Sequence, residues 1–156
     1  MRSPIVLVAF GLAVVVACGA AAVAADTAAV IKDRAELMKE QGKDMGAVKA
    51  FIDGKGEQAA ATTAATDLIA TMKKLPDVFP EGSGGPNPDG KYTTKPEIWS
   101  DWKAFLAQRD VGAAKAEALA AAVKGGDKAA IQTAFADTGK NGCGGCHSKF
   151  REEIKK

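Results

Sequence analysis

The amino-acid sequence predicts an all-α protein, folded as an antiparallel up-down-up-down four-helix bundle. Three observations carry this. Beyond residue 25 the chain is rich in Ala, Lys, Glu, Leu and Met and almost free of β-branched runs, a composition that favours helix. Apolar residues recur at three-, four- and seven-residue spacing, the period of a helix face. Gly and Pro cluster at few places, which leaves long periodic stretches joined by mostly short links.

The first predicted helix spans about residues 28–52. Ile31, Met38, Met45 and Ile52 repeat every seven positions along it and are expected to form one buried stripe. It stops at Asp53-Gly54-Lys55-Gly56. The second covers about 57–75, with Ala61, Ala65, Leu68 and Met72 on one face and Pro76 just beyond its end. Residues 76–95 hold Pro76, Pro80, Pro86 and Pro88 together with Gly82, Gly84, Gly85 and Gly90. They read as an irregular, exposed crossover. The third helix is expected to open with Pro96 at its first position behind a Thr94 cap. It runs to about 124, with a break near 110–112. The fourth follows Gly125-Gly126, is capped by Asp127 and extends toward the C-terminus. The many alanines suit close helix approach and high helix propensity alike. No internal repeat is visible.

The N-terminus reads differently. Arg2 is followed by an apolar run over residues 5–17 and small residues at Ala22-Val23-Ala24-Ala25, and charge begins at Asp26. This is the pattern of a secretory signal peptide, residues 1–25, cleaved near Ala24 or Ala25. The apolar run is too short for a membrane span. Val15-Val16-Ala17-Cys18 also resembles a bacterial lipobox, so a lipid anchor through Cys18 is the alternative. Residues 26–156 then form one domain. It has 20 basic against 19 acidic residues, a net charge of +1. That balance argues against nucleic acid, which calls for a strongly basic face.

Chemistry concentrates in Cys143-Gly144-Gly145-Cys146-His147, nine residues from the end, which contains the only His in the chain. C-x-x-C-H is the pattern of covalent haem attachment: two thiols bond to the vinyl groups and the adjacent imidazole meets the iron as proximal ligand. A thioredoxin-like motif needs a βαβ setting, and nothing over residues 120–156 alternates like a strand. Structural zinc needs four N/S ligands, and after residue 25 only Cys143, Cys146 and His147 are available, crowded together. A Cys143–Cys146 disulfide leaves His147 without a role. The expected cofactor is therefore one haem c, with Cys143 and Cys146 as anchors and His147 on the iron. Haem attachment of this kind implies export from the bacterial cytoplasm.

A second axial ligand cannot be histidine. The thioethers after residue 25 are Met38, Met45 and Met72, each of which would ordinarily be core filling. In an up-down-up-down bundle the first and fourth helices are antiparallel neighbours, so the end of the fourth lies beside the start of the first. That arrangement favours Met38. Met45 lies about 10 Å deeper at 1.5 Å per residue, and the second helix, with Met72, is expected diagonally opposite the fourth. Arg34 shares a face with Met38 one turn earlier. It has two readings, a partner for a haem propionate or a cation reaching out to solvent at a helix end. Trp99 and Trp102 put two large rings on one face of the third helix, expected to pack in the core, with haem contact by Trp99 as the minority reading.

Three segments carry a resemblance: Arg34-x-x-x-Met38, Lys95-Pro96-Glu97-Ile98-Trp99 and Cys143-Gly-Gly-Cys146-His147-x-x-Phe150-Arg151. Together they resemble the cytochrome c-prime family, the class II cytochromes c, across the whole chain after residue 25. The stretch from Glu36 through Gln41-Gly42 to Met45, and Gly90-Lys91-Tyr92-Thr93-Thr94-Lys95-Pro96, are most similar to its low-spin, methionine-ligated branch. Arg34 is more like the high-spin branch. The resemblance implies a periplasmic c-type cytochrome that carries single electrons between redox partner proteins, as a monomer or homodimer, and is not an enzyme. The alternative it implies is a high-spin, five-coordinate protein that binds NO or CO. In that case Arg151 neighbours the proximal face; otherwise Arg151 is an exposed helix-end cation.

Overall fold

The computed structural model describes residues 19–155, with side chains from Asp26 onward. Cys18 and the apolar run of the expected signal peptide lie outside the described residues. The expected cleavage positions, Ala24 and Ala25, fall within the first helix, α1 (Gly19–Ile52).

α2 (Gln58–Lys73) returns antiparallel to α1 and buries Ala61, Ala64, Ala65, Leu68, Thr71 and Met72. Its mostly small buried residues let the two helices pack closely. A 3₁₀ turn, Leu75–Val78, follows. The crossover then runs through a short strand, β1 (Tyr92–Thr94), into a single helical turn, α3 (Glu97–Ser100). α4 (Trp102–Gly125) is the third long helix. It ends where Gly126 takes φ +78°, a left-handed conformation that glycine adopts without steric cost. The last arm is composite: α5 (Lys128–Asp137), a π-helical turn at Thr138–Cys143, α6 (Gly144–Phe150) and strand β2 (Arg151–Glu153).

α1 packs on α2 and α5, and α4 packs on α2, α5 and the π turn. Each arm thus has two antiparallel neighbours, the predicted bundle order. Phe105, Leu68, Ile98, Leu119, Ile131, Val48 and Val123 fill the interior. At the end near the crossover, Phe105 gathers Phe79 (ring centroids 4.9 Å apart), Trp102 (5.0 Å, stacked) and Phe150 (5.4 Å, edge-on). Such pairs add roughly 0.5–1.5 kcal/mol each beyond area burial. Trp99 Nε1 donates to the carbonyls of Phe79 and Pro80 (3.0 and 2.9 Å), which pins the crossover.

Several expectations need correction. The third helix does not break near 110–112. It breaks at Asp101, whose carboxylate accepts from Ala104 N (3.0 Å) and so caps α4 rather than continuing α3. Gly112 stays helical, and a Cβ there would lie 3.3 Å from Met72 Sδ, so packing explains that glycine. The C-terminal region does contain a strand. β2 pairs antiparallel with β1, Thr94 opposite Arg151 and Tyr92 opposite Glu153, and sews the chain end to the crossover. The heptad stripe Ile31, Met38, Met45 and Ile52 is only half-buried. Its first three residues face a cavity, while Arg34, Leu37, Gln41 and Val48 form the fully buried face of α1. Asp127 caps α5 as expected, accepting from Ala130 N at 2.8 Å.

Candidate functional site

The last arm is shaped to present its two cysteines and histidine. Thr138 Oγ1 donates both to Ala134 O (2.8 Å) and to Lys115 O of α4 (3.1 Å), where the helix widens into its π turn. Lys115 Nζ meets Asp137 at 2.7 Å, and Asn141 Nδ2 donates to the same carboxylate. π turns of this kind recur at functional sites because they shift the side chains that follow. Here the shift is immediately followed by Cys143.

Gln108 of α4 holds the next turn. Its Nε2 donates to Asn141 O (3.1 Å) and its Oε1 accepts from Lys149 Nζ (3.3 Å). A Cβ at Gly145 would sit 2.8 Å from that Nε2, so the end of the Gln108 side chain would have to shift to admit one. The second glycine between the cysteines leaves room for Gln108 to keep its two hydrogen bonds.

Cys143, Cys146 and His147 open onto a cavity of about 500 Å³ between the helices and the crossover, within the roughly 300–1,000 Å³ of pockets that bury a cofactor-sized ligand. Its wall is largely apolar, with Ile31, Met45, Met72, Leu75 and Phe105 contributing. Met38, Arg34 and Arg151 also line it, so one space brings together every site residue expected from the sequence. The rivals Met45 and Met72 line it too. Trp99 and Trp102 do not; both pack beside the core.

Electrostatics follow burial. Cys143 and Cys146 form no disulfide with each other. Burial raises the pKa of Cys143, and burial with the neighbouring Cys143 pushes Cys146 up to about 11. Burial, reinforced by Arg151, lowers His147 to about 4. The imidazole is thus neutral at physiological pH, the form with a lone pair for a metal. Arg34 is only 7% exposed. Its Nε donates to Val78 O (2.9 Å), its Nη2 to Ser83 O and Oγ (3.0 and 2.7 Å), and its guanidinium lies 4.1 Å over the Phe79 ring. Burial lowers its pKa to about 10, so it stays charged. Arg151 is exposed and lies 4.1 Å over the ring of Tyr92.

Two features suit a flat, largely apolar guest with carboxylates at one edge. Arg34 is a buried cation that forms no ion pair among the described residues, a costly state unless the guest supplies the anion. The cavity end near it is polar, with Asn87, Tyr92, Thr93, Thr94 and Arg151. Haem, with a hydrophobic macrocycle and two propionates, meets both demands. Gln41 and Gln108 also line the cavity, and the sequence reading missed them. Gln41 falls three residues after Met38 and seven after Arg34, so helical periodicity carried a signal for it. Gln108 is on a helix with no motif and carried none.

The chain is similar to proteins of one family. The family model Cytochrome C' matches residues 29–151. Cytochrome c' of Rubrivivax gelatinosus is 40% identical over 111 residues, covering 69% of this chain and 82% of that protein. Cytochrome c-556 of Rhodopseudomonas palustris is 31% identical over 121 residues, covering 76% and 79%. A solved cytochrome c' with ligand-controlled dimer dissociation superposes with a TM-score of 0.71 at 26% identity, covering 80% of this chain and 95% of its own. The chain belongs to the cytochrome c' family, as an all-α four-helix bundle that carries one covalently bound haem c.

Proposed function

We propose that the protein carries single electrons in the periplasm, through a low-spin haem ligated by His147 and Met38. The observation that carries this reading is the convergence of Met38 and His147, from neighbouring antiparallel arms, on one cavity. Bound haem supplies the ferric/ferrous couple, and thioether ligation raises its reduction potential. Cys143 and Cys146 anchor the macrocycle, and His147, kept neutral by burial, offers its lone pair. The apolar side chains of α1, α2 and α4 exclude water. Arg34 and Arg151 provide positive charge at the polar end, where propionates would lie. No side chain performs bond chemistry in this reading, so the protein is a carrier and not an enzyme.

Among the described residues no helix is long and apolar enough to cross a membrane. Export through residues 1–25 as a signal peptide accounts for a periplasmic site, with lipidation at Cys18 as the variant of the same route. A monomer or homodimer is the expected assembly, given the dimeric relative of solved structure.

Absorption spectra of the oxidised and reduced protein, with and without CO, test the assignment. Low-spin bands and little response to CO are expected, and Met38→Ala should produce high-spin ferric bands and rapid CO uptake. High-spin bands and rapid CO binding in the unmodified protein would replace the carrier with a five-coordinate binder of NO or CO.

A further inference from the structure

Gln41 is only 7% exposed, yet its Nε2 has no hydrogen-bond partner, and the residue lines the cavity. A buried donor without an acceptor costs roughly 1–3 kcal/mol. Gln41 lies in the wall of the cofactor cavity, where a turn of its flexible side chain brings that amide to the guest.

Haem offers few acceptors. Its periphery is hydrocarbon apart from the two propionates, and its axial positions carry the atoms bound to iron. Helical level separates these. On the last arm, a Cβ built at Gly139 would lie 4.0 Å from Met45 Cε, which puts these two residues beside each other across the antiparallel arms. Four residues on from Gly139 is Cys143, and four back from Met45 is Gln41. A further turn in each direction reaches His147 and the neighbourhood of Met38. Gln41 therefore lies level with the anchoring cysteines, about 10 Å along α1 from Arg34 and the polar end. Propionates paired with Arg34 would be out of its reach, whereas an axial ligand beside Met38 would not. Met38, three residues away on the same helix face, is its neighbour.

We propose that Gln41 is the hydrogen-bond donor of the distal side of the iron. Its Nε2 donates to whatever atom fills the sixth position, the Met38 sulfur in the resting protein or a diatomic ligand where Met38 is absent. The Met38 acceptor rests on the His/Met reading above; the donor role of Gln41 does not. A thioether sulfur that gives one lone pair to iron keeps another as a weak acceptor, and partners of this kind tune a metal through its ligand. The positive end of the N–H dipole opposes the added charge of ferric iron, so the amide favours the ferrous form.

The test compares Gln41→Leu, with Gln41→Ala as a second variant should leucine not be accommodated, in the haem-loaded protein. Gln41→Leu should stay low-spin while its redox equilibrium shifts about fivefold toward ferric, a fall of ~40 mV at 59 mV per tenfold. In a Met38→Ala background, CO on ferrous iron reports the donor directly. Loss of the amide should raise the C–O stretching frequency, because a donor on the CO oxygen lowers it. An unmoved potential together with an unmoved C–O stretch overturns the role of Gln41 and leaves the carrier reading intact. If the unmodified protein proves high-spin and binds CO, the carrier reading falls. The C–O stretch with and without Gln41 then decides the donor by itself, a rise supporting it and no change overturning it.

Discussion

Gly145→Ala should destabilise this protein, against the rule for glycine inside a helix. Replacing a helix-interior glycine by alanine ordinarily stabilises by about 1 kcal/mol. Here the new methyl would lie 2.8 Å from Gln108 Nε2, 3.4 Å from its Cδ and 3.6 Å from its Oε1. Gln108 must move, and it gives up its bonds to Asn141 O and Lys149 Nζ. Each is worth about 1 kcal/mol net, and a stranded buried amide adds more, so the loss is about 2–3 kcal/mol. The expected balance is a net destabilisation of about 1–2 kcal/mol. Gln108→Ala removes the obstacle, and in that background Gly145→Ala should become stabilising by about 1 kcal/mol. Denaturant unfolding of the four haem-loaded proteins measures the cycle, with an expected coupling of about 2–3 kcal/mol. Equal stabilisation by Gly145→Ala in both backgrounds would refute the claim that Gln108 sets this position.

Arg34→Leu should cost about 2–4 kcal/mol, because it strands the Val78 and Ser83 carbonyls that the guanidinium ties to α1. Limited proteolysis should then show faster cleavage within residues 76–95, and unchanged cleavage would contradict the anchoring role. Asp44 has its carboxyl pKa raised by burial, with Asp67 and Glu40 adding to it. Its folded form therefore binds a proton more readily than the unfolded chain, and stability falls as pH rises through that raised value. Asp44→Asn should be more stable than the parent at neutral pH, with the gain fading as pH drops through the raised value and gone below 3.8, the ordinary aspartate value. A gain independent of pH would show that charge is not its cause.

The bundle was legible in the sequence because long helices repeat their buried face many times. α2 needed only Ala61, Ala65, Leu68 and Met72, and Asp127 marked the start of α5. The haem motif was legible for another reason: its residues are contiguous. What escaped depends on contacts between distant segments. The β1–β2 ladder is three residues long on each side, too short for alternation to appear, and exists because the chain end lies against the crossover. The break at Asp101 hinged on which of two polar residues captured a backbone donor; Thr94 was the plausible cap, yet its hydroxyl instead accepts from Gly85 N. The heptad of α1 identified a face correctly as apolar but not what it faces. A cavity wall and a core read alike in hydrophobicity, and only Arg34 and Gln41 on the adjoining positions distinguish them.

In the proposed carrier Met38, and neither Met45 nor Met72, completes the iron. X-ray absorption at the iron edge of the unmodified protein and of Met38→Ala, Met45→Ala and Met72→Ala tests it most directly. A sulfur is expected in the iron's first coordination sphere in the unmodified protein, Met45→Ala and Met72→Ala, with its loss in Met38→Ala alone. Absence of sulfur from the unmodified protein, or its persistence in Met38→Ala, would contradict it.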